Sequence, residues 1–225
     1  VSAAAVAGPA GPPTLSASVR GLLAALRCGD DAMLLRARTR HGVGERTLRI
    51  TLPPGVAWIP GPLLELLEED RWSITVPIAT AETPARVAAV VAIIDRPPVY
   101  LDGRWVFDEP GIAAALRVLA AFLEPSVLIN AGGAGVAVWM LAEPISARDV
   151  RVLQLHRDVA RVTGATALPE GASVEDLAVP LPGSVVRELG GYSGYVDCLW
   201  LDPAARYTVE EIEAAIAARK ESARP

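Results

Sequence analysis

Residues 125–141 read PSVLINAGGAGVAVWML, and the rest of the chain is arranged around them. Val127 to Ile129 is a short apolar run with β-branched residues, bounded by Pro125 and a glycine cluster, and it reads as a buried strand. Gly132, Gly133 and Gly135 permit backbone angles with positive φ, so the chain can reverse tightly there. The return strand alternates Val136, Val138 and Met140 with Ala137, Trp139 and Leu141, which leaves both faces apolar. Such a strand belongs in the interior of a sheet covered on both sides. The glycine bend itself has two readings: a structural hairpin, or bare backbone that can approach a nucleotide closely.

The totals set bounds. At 225 residues the chain is long enough for one large domain or two small lobes sharing a core. Hydrophobic residues make up 52% and mean hydropathy is +0.34, yet no apolar run nears the roughly 18 residues needed to span a bilayer, so no membrane partner is expected. Residues 1–13, VSAAAVAGPAGPP, lack the basic start of a signal peptide and read as a disordered Ala/Pro/Gly tail. Cys28 and Cys198 are isolated in apolar sequence, the pattern of buried free thiols in a reducing cytoplasm. A net charge of −5 excludes a wholly basic nucleic-acid wrapper. It leaves room for a local basic surface, because Arg20, Arg27, Arg36, Arg38, Arg40, Arg46 and Arg49 fall in the first fifty residues.

Outward from the centre, the spacing predicts a helix over 15–27 and two strands over 32–38 and 46–52, in which arginines alternate with apolar residues. Arg36, Arg38 and Arg49 are the nucleic-acid contacts this pattern offers, and a merely solvated sheet face is the competing reading. His41, in the loop between them, has no Cys or second His at ligand spacing, so there is no zinc signature. A short helix is expected over 62–69 and strands over 72–76 and 86–95, the latter delivering Asp95 at its end. Asp102-Gly103 marks a hairpin, and Asp108 a helix cap followed by Pro110. Ser146 with Asp149 predicts a capping box for a helix running to about Val162 and stopped by Gly164. Residues 171–194 read as loop, 195–201 as a strand, and Thr208 with Glu211 as the capping box of a last helix.

In this order the pieces resemble the primase–polymerase domains of the archaeo-eukaryotic primase superfamily. The residues that carry the resemblance are AVVAIID at 89–95, INAGGAGVAVWMLAEPI at 129–145, DLAVPLPGS at 176–184 and RYTVEEIEAAI at 206–216. The resemblance implies an α+β primase-polymerase-like fold: a central, mostly antiparallel sheet with an RRM-like core, flanked by helices, and an N-terminal αββ lobe. Residues 14–219 would form this single two-lobed domain. It also implies carboxylates holding Mg or Mn, a histidine on the incoming nucleotide's phosphates, and a place in DNA replication or a mobile-element system. Single-stranded DNA or primer-template, and a replication helicase or other replication protein, are the partners it suggests.

The departures bear on activity. Aligned on Trp139, the family's histidine falls on Val136 and the second aspartate of its Asp-x-Asp on Pro97. The arginine before the Pro-Gly falls on Pro180, and the asparagine after it on Val186. Valine neither ligates nor donates, and proline holds no metal. Three readings follow. The first is a domain that has lost catalysis and binds nucleic acid, nucleotide or a replication partner, with Gly132, Gly133 and Arg187 as the nucleotide contacts. The second is a divergent, metal-dependent nucleotidyltransferase with Asp95 and Asp176 as catalytic metal ligands. The third is a protein-interaction module only.

Overall fold

The structure is a computed structural model that describes residues 14–26, 32–39, 44–51, 59–69, 71–80, 84–96, 99–102, 104–106, 108–168, 171–186 and 194–222. The N-terminal tail, Cys28, His41, Pro97 and Arg187 lie outside them. The chain begins with α1 (Leu15–Leu26), β1 (Met33–Thr39), β2 (Glu45–Ile50), α2 (Gly61–Glu68) and β3 (Trp72–Pro77). Next come β4 (Arg86–Asp95), the ribbon β5 (Val99–Leu101) and β6 (Arg104–Val106), then α3 (Glu109–Phe122), β7 (Val127–Asn130) and β8 (Ala134–Ser146). It closes with α4 (Val150–Thr163), β9 (Ala178–Pro180), β10 (Asp197–Leu201), β11 (Arg206–Tyr207) and α5 (Val209–Ser222).

Two sheets result. The first has the order β2-β1-β3-β9, so the expected αββ lobe gains two strands from later in the chain. The second runs β10-β7-β8-β11, with β4 on the other edge of β8. All of its pairings are antiparallel except the short parallel one between β8 and β11. The strand expected to be covered on both faces is β8. Val136, Val138 and Met140 point into a core shared with α1, α2 and the inner face of the first sheet. Ala137, Trp139 and Leu141 point the other way, into a second core built with α3, α4 and α5. Trp139 is fully buried, donates its indole N–H to the Leu123 carbonyl at 3.0 Å, and meets Phe122 edge-on at 5.3 Å.

Local chemistry accounts for most boundaries. Asp108 accepts from the Gly111 N–H at 3.0 Å and starts α3. Gly164 takes a left-handed φ of 69° and ends α4. Thr208 and Glu211 exchange their two bonds at 2.7 and 3.2 Å at the head of α5. One predicted cap is corrected. Ser146 is the last residue of β8, paired with Arg86, and the Asp149 carboxylate caps α4 by accepting from the Arg151 N–H at 2.8 Å. Strand pairing to β4 outcompetes the local cap signal at that position. The segment read as loop holds a 3-10 turn at Val174–Asp176 and the strand β9, and the final strand starts at Asp197, two residues late.

β7 ends its pairing with β8 at Val138, and Ser126 takes over one position further along. Its buried hydroxyl accepts from the Met140 N–H at 2.9 Å and donates to the Ala205 carbonyl at 2.5 Å. Its own carbonyl accepts from the Asp202 N–H at 2.8 Å. Ser126→Ala strands a buried N–H, and we expect a loss of about 1–3 kcal/mol in denaturant unfolding.

His156, on the inner side of α4, is 2% exposed. Its Nδ1 lies 2.9 Å from the Val152 carbonyl, and its Nε2 has no hydrogen-bond partner among the described residues. Burial drives its pKa from 6.5 down to about 4, because a charged imidazole would lose its water there. The folded chain therefore keeps the ring neutral, while the unfolded chain takes a proton once pH falls below about 6.5. The stability this residue contributes is whole above that pH and declines until about pH 4. We expect wild type to lose about 3 kcal/mol more than His156→Leu between pH 7 and pH 4, read from urea unfolding at both pH values.

Candidate functional site

The functional residues predicted from the sequence gather, in part, at one end of the second sheet. β4 delivers Asp95 opposite Ala134, the first residue of β8. Asp95 continues the face of Val91 and Ile93, the face turned toward the first sheet, by strand alternation. Its carboxylate is exposed and accepts from the Thr166 hydroxyl at 2.7 Å. Thr166 is itself pinned, since its N–H donates to the Ile93 carbonyl at 2.7 Å. Nothing in the sequence pointed to Thr166, which lies 71 positions away and arrives only because Gly164 stops α4.

Beside Asp95 the glycine turn is closed by its own backbone. The Ala131 N–H donates to the Ala134 carbonyl at 2.9 Å, and the Arg96 N–H to the Gly133 carbonyl at 2.7 Å. Gly132 has φ of 74° and donates its N–H to the Asn130 side-chain oxygen at 3.0 Å. A Cβ built on Gly132 would lie 3.1 Å from both methyl carbons of Val186. Val186 is therefore seated on the bend that the nucleotide reading would have left open. It is held there by its N–H bond to the Gly194 carbonyl at 2.8 Å, while the Val185 N–H bonds the Trp72 carbonyl of the first sheet at 3.1 Å.

The positions where the resemblance implies polar chemistry are apolar here. Val136 is fully buried in the first core, between Ile93 and Ile129. Val186 is 8% exposed and belongs to the same core. Pro180 is a β9 residue opposite Thr75.

Asp176 is not brought to Asp95. It closes a capping box with Ser173, accepting from the Ser173 N–H at 3.3 Å. The next residue, Leu177, accepts at its carbonyl from Ile78, and Ile78 in turn from Ala88 near the start of β4. Asp95 lies seven residues further along β4, about 23 Å at the usual rise. The expected pairing of these two carboxylates around shared metals is thus corrected by the strand register.

Asp197 is a carboxylate the sequence reading missed. Burial raises its pKa, and its pairing with Asn130 puts it at the Asp95 end of the sheet. It is three strands away, about 14 Å, and on the opposite face, that of Leu128. Among the described residues no three His, Cys, Asp or Glu side chains are grouped so as to hold a metal. A divalent cation for phosphoryl transfer is usually held by one or two carboxylates together with substrate phosphates. Of the two described strand carboxylates at this end of the sheet, Asp95 is bonded to Thr166 and Asp197 lies on the other face, so the two do not converge on one cation.

Arg36, Arg38 and Arg49 are exposed on the outer face of the first sheet. Cys198 is buried and free, and burial pushes its thiol up to about 11, so it is an unreactive core residue.

This architecture is the primase–polymerase fold of the archaeo-eukaryotic primases. The AEP domain of the primase-polymerase of cyanophage S-2L superposes with a TM-score of 0.62 at 13% identity, over 88% of this chain and 96% of that one. The primase RepB' gives 0.59 at 13% identity, over 92% of this chain and 62% of that one. The catalytic domain of primase Repb' in complex with initiator DNA gives 0.57 at 12% identity, over 93% and 95%. No protein-family model matches the sequence, and no curated protein does.

Gly132→Ala is expected to cost about 1–2 kcal/mol, from the left-handed backbone and the contact with Val186. Adding Val186→Ala removes the contact without relieving the backbone. A double-mutant cycle by chemical denaturation separates the two contributions.

Proposed function

We propose that this chain is a primase-polymerase-like domain that no longer transfers nucleotides and acts by binding nucleic acid in a DNA-replication or mobile-element system, in the cytoplasm. The observation that carries the proposal is the burial of Val136 and Val186 in one apolar core, at the positions where the resemblance implies a phosphate-binding histidine and an asparagine. A side chain without donors cannot stabilise charge developing on a phosphoryl group, and that is where such catalysis draws most of its effect. The separation of Asp95 from Asp176 supports the same reading. Nucleic-acid binding is supported by the fold shared with a primase domain that was solved with initiator DNA, and by the exposed arginines of the first sheet. A helicase or another replication protein remains the natural companion of a domain of this shape without chemistry of its own.

Thr166 bonding to Asp95 is the one feature that favours the active alternative, because an exposed carboxylate held in place suits a ligand. Extension of a labelled primer with deoxynucleotides, in Mg and separately in Mn, decides between them. We expect no incorporation above a no-protein control from a preparation that unfolds cooperatively. Incorporation that disappears in Asp95→Ala would establish the active enzyme instead.

A further inference from the structure

The outer face of the first sheet is charged unlike the rest of the chain. Residues 32–51 carry five arginines against one glutamate, in a chain whose net charge is −5. The register sorts these charges. Leu34, Arg36 and Arg38 share a face of β1, and they stand opposite Arg49, Thr47 and Glu45 on β2. On the other side, Arg36 and Arg38 stand opposite Thr75 and Ser73 of β3. Glu45 is the one acidic residue on this face among the described strand residues, and it is spent on Arg38 at 3.3 Å.

The opposite face of the same strands is apolar core, with Leu35 and Ala37 buried completely. Arg36 and Arg38 are two residues apart on one strand, about 7 Å, and Arg49 stands diagonal to Arg36 at about 7–8 Å. The result is a row of three cationic side chains flanked by hydroxyl groups on an open sheet. It lies on the far side of that sheet from Asp95 and the glycine turn.

We propose that this outer face is a docking surface for the phosphate backbone of single-stranded nucleic acid, separate from the Asp95 end of the fold. Guanidinium groups and hydroxyls are the donors that bind phosphate and sugar without reading bases. No aromatic side chain lies on the face in its described register, so contact is with the backbone and tolerates any sequence. The sheet also lacks the exposed large apolar side chains that would insert into a bilayer. The proposal rests on the nucleic-acid reading above for the identity of the polyanion, and on the charge pattern for its place.

The test is fluorescence anisotropy of a labelled 20-nucleotide single strand of mixed sequence, titrated with the full chain at several salt concentrations. Arg36→Glu/Arg49→Glu should weaken binding roughly tenfold or more and lower the salt slope by about one. Arg36→Gln/Arg49→Gln should give a smaller loss in the same direction. Arg117→Glu, an exposed arginine of α3, should bind as wild type does. Thermal midpoints confirm that each variant is folded. Unchanged binding in the double charge reversal would overturn the placement while leaving the nucleic-acid reading intact. Failure of wild type to bind the strand even at low salt would overturn both. Preference for anionic vesicles or polyglutamate over the strand, lost in the same variant, would overturn the choice of ligand.

Discussion

Adjacent residues of β8 point into two different cores, and the fold follows from that constraint. Val138 faces α1 and the first sheet, and Trp139 faces α3, α4 and α5. A strand apolar on both sides is stable only when both sides are covered. The chain meets this by placing its N-terminal lobe against one face and its helical layer against the other. The indole of Trp139 is fully buried and carries an N–H that needs an acceptor as well as packing, and the Leu123 carbonyl supplies it.

The same alternation shapes the end of the sheet. Val136 lies two residues before Val138 on the same face, so it enters the first core, and Asp95 completes that face at the rim. Val186 then crosses from the side of the first sheet and packs on Gly132. Where the fold could hold a polar pocket, this chain extends its hydrophobic core almost to the strand ends. Asp95 stays outside that core because an ionised carboxylate cannot be buried cheaply, and it finds a hydroxyl in Thr166.

Charge elsewhere on the surface is arranged differently from the arginine row. In the groove between α4 and α5, Arg151 reaches Glu210 and Glu213 at 3.1 Å, and Lys220 reaches Asp158 at 3.2 Å. These pairs are exposed, so they stabilise little, but they neutralise one another locally. The groove, about 570 Å³, is therefore lined by paired charges of both signs. On the first sheet, the described strand residues of the outer face carry three arginines and one glutamate, and that glutamate pairs with Arg38.

Periodicity and punctuation determined most of the elements by themselves. The period-2 burial of β1, the reversal at Asp102 between β5 and β6, and the Asp108, Gly164 and Thr208 signals are local, so they could be read without neighbours. Valine and proline at the positions of the family's polar residues were equally legible, since residue identity alone excludes ligation there. What only the tertiary structure decided were relations between distant segments. Ser146 joined a strand because Arg86 lay opposite, and Asp176 fell far from Asp95 because β9 pairs with β3 near the start of β4. Thr166 met Asp95, and Val186 covered Gly132, across 71 and 54 positions of chain. Such contacts depend on which strand edges pair and in what register, and that is set by the fit of whole apolar faces rather than by any short stretch of sequence.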